Sequence, residues 1–283
     1  MSQHTELLSL IEHTGPFLTE PVLDRVFPQG IDPIEQTLVV RLRSAHAEWT
    51  ESQQRGDAES PKIHTTWIDM VLREGLGYEE RSLRRGSAVP GELTVDLAEH
   101  AEKISPDMVL INPEGRVNEG KSRLLISLWP FGQDLAGQTK DSKWAATPIE
   151  RMITLCRASG VHLGLVTNGE RWTLIDAREG QSPAIASWYA RYWAPEPLTL
   201  RGFLCLLGAR RFFGVPEADT IEALLNESGS YQQEVTDQLG LQVRQAVEVL
   251  IQALDRADKD RKRELLRDVD PGRLYDAALT VMM

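Results

Sequence analysis

The sequence predicts an α/β domain with a central mixed sheet and flanking helices, followed by an all-helical connector. Two observations predict it. The middle of the chain reads as strand pair, helix, strand pair, and from Leu198 onward only helical periodicity remains. A chain of 283 residues with 41% hydrophobic content can fill a substantial core. The expected divisions are a helical segment over 1–60, the α/β domain over 61–197 and the connector over 198–283.

Each element has a local reason. Leu7, Leu8, Leu10 and Ile11 form an apolar stripe that Gly15-Pro16 stops. A second helix is expected from Pro33, with Asp32 as N-cap, through Leu38, Val39 and Leu42 toward Trp49. The polar stretch 51–62 reads as a surface loop. In "TTWIDMVLREGLGY", Trp67, Met70, Val71 and Leu72 share one helical face, ended by Gly75 and Gly77. Met108–Ile111 and Leu124–Leu128 read as buried strands joined through a turn at Asn112-Pro113-Glu114-Gly115. Thr147, Pro148 and Glu150 spell a capped helix start, and Gly160 closes that helix. Asn168-Gly169 is the strongest short hairpin signal in the chain.

Helices are expected over 198–214, about 217–228, 231–257 and from Asp270. Val235, Leu239, Val243, Val247, Leu250 and Leu254 are read as one stripe. The final "LYDAALTVMM" is an apolar helix with no cap after it, so the chain is expected to run on into a further domain.

With 31 Lys and Arg against 42 Asp and Glu, the net charge is −11. Such a chain has no bulk attraction for nucleic acid, so DNA contact needs a local basic face. Cys156 and Cys205 lie in apolar stretches without CxxC or Cys/His spacing and are expected to be buried free thiols. No signal pattern opens the chain and no apolar run approaches the ~20 residues of a membrane span, so the expected compartment is the cytoplasm.

The chemistry-bearing stretch is "SPDMVLINPEGRVNEGKSRLLISLWP", residues 105–130. Asp107 opens the first strand, and Glu119-Gly120-Lys121 completes a D-x11-ExK spacing. In that pattern carboxylates hold Mg²⁺, with Asp107 as a metal ligand, and the lysine stands beside the attacking water. Yet Glu119 and Lys121 flank a glycine in the polar connection. Aligned on the strand body, the acid and lysine places fall on Ile126 and Leu128, which bind no metal. Asp69 or Glu79-Glu80 are candidates for a further carboxylate. His162, inside an apolar strand, reads as a hydrogen-bonded core residue. Candidate phosphate contacts on duplex DNA are Arg81, Arg84 and Arg85, then Lys140 and Lys143, then Arg210 and Arg211. No GxSxG, Walker A, Asn/Asp-Pro-Pro-Tyr or methyl-donor Gly-rich loop is present, so this chain carries no site for S-adenosylmethionine.

Taken in order, "TTWIDMVLREGLGY", "SPDMVLINPEGRV…LLISLWP", "KWAATPIERMITLCRASGVHLGLVTNGERWTLIDA", "LRGFLCLLGARRFFGV" and "YQQEVTDQLGLQVRQAVEVLIQALDRAD" resemble the N-terminal portion of type IIG-like restriction-methyltransferases and of the adenine-specific methyltransferases of BREX and DISARM phage defence. The resemblance spans roughly residues 60 to 283. It implies a PD-(D/E)xK nuclease-like domain plus a helical connector, DNA as partner, and S-adenosylmethionine only in a methyltransferase domain beyond Met283. It also implies that cleaving relatives carry the acid and lysine within the second strand, where this sequence departs. The reading is thus a degenerate nuclease module that positions a methyltransferase on DNA or on other defence subunits. The alternatives are a Mg²⁺-dependent endonuclease using Asp107, Glu119 and Lys121, and a protein-interaction scaffold.

Overall fold

The computed structural model describes the chain apart from Met1, Asp57, residues 140–143, Leu265, Asp268, Met283 and the side chains of Pro271 and Met282. In chain order the elements are α1 Gln3–Leu10, β1 Glu12–Thr14, α2 Glu20–Val26, α3 Gln36–Arg55, α4 Ser60–Met70, β2 Leu83–Arg85, β3 Val95–Leu97, β4 Glu102–Ile104, β5 Met108–Ile111 and β6 Ser122–Leu128. They continue with α5 Pro148–Ser159, β7 Leu163–Thr167, β8 Arg171–Asp176, β9 Ala184–Tyr189, α6 Pro197–Leu207, α7 Ala209–Phe213, α8 Ile221–Asp260 and α9 Pro271–Met282. The chain divides into two compact units, Met1–Ser228 and Gly229–Met283, with the division inside α8.

The first unit is α/β. Its seven-stranded sheet has the order β1-β9-β8-β7-β6-β5-β2, with β6 and β7 parallel and every other pair antiparallel. Helix α5 makes the crossover that a parallel pair requires. Its start is the predicted one: the Thr147 hydroxyl accepts from Glu150 N–H, and the Glu150 carboxylate accepts from Thr147 N–H.

Period-two alternation splits the sheet's side chains between two cores. Leu83, Met108, Leu110, Leu124, Ile126, Leu165, Trp172 and Trp188 join side chains of α1, α2, α3, α4 and α6 on one face. Val109, Ile111, Leu125, Val166 and Ile175 pack on the other face with Ile149, Met152, Leu155 and Cys156 of α5.

Several expectations change. The segment before residue 61 is not helical throughout, since Glu12–Thr14 pairs with β9 as an edge strand of the same sheet. Helix α3 starts at Gln36 with Glu35 at its N-cap, because Asp32 is used elsewhere. The Asp32 carboxylate lies 3.5 Å from Arg210 and its carbonyl accepts from Arg201. The stretch 51–62 is mostly helical, being the end of α3 and the start of α4, and α4 continues through a π-helical turn at Val71–Gly75. Helix α8 is continuous through 228–230, where a break was expected; Ser228 is buried and its hydroxyl accepts from Thr19 N–H at 3.1 Å.

In the second unit only Val247 of the expected stripe is buried, whereas Val235 and Leu239 stand 49% and 58% exposed. The cause is geometric: successive steps of four advance about 40° beyond a full turn, so the row walks around the helix. The Asp258 carboxylate accepts from Leu266 N–H at 2.9 Å after α8 ends. That of Asp270 accepts from Gly272 N–H at 3.0 Å at the head of α9. No helix among the described residues is long and apolar enough to cross a membrane.

Candidate functional site

The β5–β6 hairpin carries Asp107 at one end and its connecting turn at the other. Asp107 N–H donates to the Ile126 carbonyl at 2.9 Å, and its carboxylate accepts from Leu128 N–H at 2.7 Å and from the Ser127 hydroxyl at 3.3 Å. The side chain thus closes the strand pair by serving β6's backbone. It borders a depression of about 250 Å³ lined also by Lys103, Ser105, Ser127, Trp129 and Arg151. Although the residue retains solvent access, burial among these walls pushes the carboxyl above its usual value of 3.8, and the bonds from Leu128 and Ser127 offset part of that shift.

Across the depression Arg151 is held on several sides. It donates to both oxygens of Glu102 at 2.8 and 3.2 Å and to the Trp144 carbonyl at 3.0 Å, with its guanidinium over the Trp144 ring at 5.1 Å. The bidentate fork fixes the cation in place. Lys103 pairs with Asp96 at 3.5 Å. One carboxylate, two hydroxyls and two cations already engaged by acids can bind a polar group, but they supply no second carboxylate converging with Asp107.

Glu119 and Lys121 do not join Asp107. Asn112 N–H donates to the Lys121 carbonyl at 2.9 Å, which fixes that residue beside the far end of β5. Five residues of extended chain separate Asn112 from Asp107, about 16 Å. The Glu119 carboxylate instead accepts from Gly115 N–H at 3.1 Å within the turn. Hard cations need oxygens within ~2–2.5 Å of one centre. The joint Asp107–Glu119–Lys121 metal site is therefore not assembled, and among the described residues no three His, Cys, Asp or Glu side chains gather in metal-holding geometry.

The strand-body alignment also needs correcting. Met108 stands opposite Ile126 and Val109 opposite Leu125, so Asp107 shares its face with Leu125 and Ser127. Ile126 points into the opposite core, and Leu128 packs against that same core. A one-residue slip exchanges the faces of a strand. The positions able to meet Asp107 are thus Leu125, fully buried, and Ser127. Neither is an acid or a lysine.

No protein-family model, curated protein or solved structure matches the chain.

The other candidates are dispersed. Asp69 pairs with Arg85 at 2.5 Å, Glu79 with Arg81 at 2.5 Å, and Glu80 with Arg73 at 3.1 Å. Arg84 donates to the Glu80 carbonyl at 3.3 Å. Arg210 is exposed beside Asp32. Arg211 cannot reach a phosphate: it is 6% exposed, donates to the Asp219 carbonyl at 2.9 Å and lies over the Phe27 ring at 4.7 Å. Lys140 and Lys143 lie outside the described residues. His162 bonds Asp176 at 2.7 Å.

Sequence reading missed Arg151, which walls the depression, and Glu102 and Trp144, which hold it there. The available signal was helical phase: Arg151 lies one position before Met152 at the start of α5, on the turn that faces the sheet.

Proposed function

We propose that this chain is a catalytically silent nuclease-like module with a helical connector, belonging to a DNA adenine methyltransferase of a restriction–modification or phage-defence system. Its role is to position the methyltransferase on DNA or on partner subunits. The observation that carries the silent part is the face of β6: Leu125 and Ser127 occupy the places across from Asp107 where metal catalysis needs an acid and a lysine. The hairpin within a mixed sheet, followed by a crossover helix and a parallel strand, supports the nuclease-like part. The five resembling segments support the family, and they alone bring in the methyltransferase and its S-adenosylmethionine.

The test is plasmid cleavage with Mg²⁺ or Mn²⁺, alongside fluorescence anisotropy with duplex DNA at two salt concentrations. The expected outcome is no cleavage, with weak binding that falls steeply with salt because only phosphate contacts from scattered cations are available. Metal-dependent cutting that disappears in Asp107→Ala would overturn the reading.

A second reading, a scaffold that contacts only other proteins, draws on the engagement of Arg81, Arg85 and Arg211 by acids or carbonyls. Absence of any DNA binding at low salt favours it.

A further inference from the structure

Between Gly229 and Ala253, α8 carries a second pattern, distinct from the stripe predicted above. Val235, Leu239, Gln242, Ala246, Val249 and Ala253 recur at steps of four, three, four, three and four. That is the heptad spacing of a helix that packs along another helix, with Leu239, Ala246 and Ala253 at a and Val235, Gln242 and Val249 at d. Such a row keeps its bearing along the axis, whereas steps of four drift away. Val235 is 49%, Leu239 58% and Val249 65% exposed, so the row faces outward. A groove of about 540 Å³ runs beside Gln242, Gln245, Ala246, Val249, Leu250 and Ala253.

The flanks of this row identify its occupant. The g positions are Tyr231, Gln238, Gln245 and Gln252, and the e positions are Thr236, Val243 and Leu250. No Asp, Glu, Lys or Arg stands at a, d, e or g from Gly229 to Ala253, in a chain that is 26% charged with a net charge of −11. The charges of this stretch sit at c and f, as with Asp237, Arg244 and Glu248, and the row closes at Arg256 and Lys259. A foreign partner is commonly selected by charged e and g residues, which fix who pairs with whom. A row without them offers no such selection. It does leave the seam between two copies free of charge repulsion, and the g-position glutamine amides, which both donate and accept, face one another when the two copies run antiparallel.

We infer that the chain dimerises through this heptad row, the α8 of one copy packing against the α8 of a second copy of the same chain. Small alanines at two a positions let the backbones approach closely. The interface is isologous, the same surface patch on both copies.

Sedimentation velocity on the full chain at tens of micromolar tests this inference. The expected result is a species of two chain masses that becomes one chain mass in the double variant Leu239→Glu, Val249→Glu. Both positions are exposed, so circular dichroism should show unchanged helix content. Leu241→Glu places a charge at c, 56% exposed but off the seam, and should remain dimeric. A wild-type chain that stays at one mass up to about 100 μM overturns the inference and leaves the face to another protein. So does a double variant that stays dimeric, or a Leu241→Glu chain that dissociates as fully as the double variant.

Discussion

Asp107 shows how one residue can carry the signature of a metal ligand while serving as a backbone acceptor. Its folded-state pKa is raised, so the folded chain holds the proton more tightly than the unfolded chain does. Stability linked to this group is fully present below the usual carboxylate value and is lost as pH rises through the folded value. At neutral pH Asp107→Asn should therefore leave stability equal or raise it, since the amide oxygen still accepts from Leu128 N–H. Asp107→Ala removes that acceptor and should cost about 1 kcal/mol, the scale of an unmade hydrogen bond at a partly exposed donor. Urea midpoints of the two variants at pH 7 check the order. Leu125→Glu, which puts an acid across from Asp107, should destabilise by several kcal/mol, because a carboxyl in this fully buried apolar position has no partner and must either be desolvated as a charge or held protonated against neutral pH. Thermal melts read that loss. The presence of Asp107 was legible in the sequence, but its partner face was not. Which side of β6 it meets depends on the register set across the turn from Asn112 to Lys121, and apolar residues at 124, 125 and 126 hide the alternation.

At the scale of elements, the β7–β8 hairpin is held at its tip by aromatic and imidazole groups. Thr167 stands opposite Trp172, so Gly169 and Glu170 form the two-residue turn. Only Gly169 has positive φ there, +85°, which is the glycine-first arrangement of a type II′ turn and not the type I′ that Asn-Gly most often forms. Asn168 contributes its side chain instead, accepting from Glu170 and Arg171 N–H. The Gly169 carbonyl accepts from the indoles of both Trp67 and Trp172, at 2.8 and 3.1 Å. A Cβ on Gly169 would lie 2.9 Å from Trp49 and 3.0 Å from His64. Gly169→Ala therefore combines a disfavoured φ with a collision and should cost roughly 1–3 kcal/mol or more, measured by denaturant unfolding.

His64 Nδ1 accepts from the Trp49 indole at 3.1 Å, and its Nε2 donates to the Trp129 carbonyl at 3.0 Å, so the ring is neutral with its proton on Nε2. Burial lowers its pKa from the usual 6.5, with the bond to Trp129 opposing. Its contribution to stability is complete above 6.5 and is lost as pH falls through 6.5 toward the folded value, where the unfolded chain binds the extra proton. Unfolding midpoints should drop between pH 7.5 and 5, by less in His64→Gln. The capped α5 and this hairpin were legible because their signals are local. Strands β1, β2 and β9 were not: three-residue edges are too short to show a period, and β9 has small residues, Ala184, Ala186 and Ser187, where a strand signal needs bulk.

At the scale of the whole molecule, the two units differ in what they bury. The first encloses two apolar cores across a sheet, while the second is helical and leaves Val235, Leu239, Leu241 and Val249 largely exposed. The connector was legible as helix, yet its division from the α/β part falls within α8 and not at residue 197, because Ile221, Leu224 and Leu225 complete the core of the first unit. All seven tryptophans also lie in that unit. Leu239→Glu with Val249→Glu should thus leave the fluorescence-detected unfolding midpoint of the dissociated chain unchanged, while changes in the second unit register in far-ultraviolet circular dichroism. The same distribution turns the hairpin clamp into an optical probe. Trp49 and Trp67 stack with centroids 5.9 Å apart, close enough for excitation to pass between them, and Trp49 is bonded to His64. An imidazolium quenches an indole it touches far more strongly than a neutral ring does. Emission from this pair should therefore dim as pH falls, before the chain unfolds; because the His46 ring also lies 5.5 Å from Trp49 and 5.4 Å from Trp67, the part of the change that is absent in His64→Gln is the part that reports the half-buried His64.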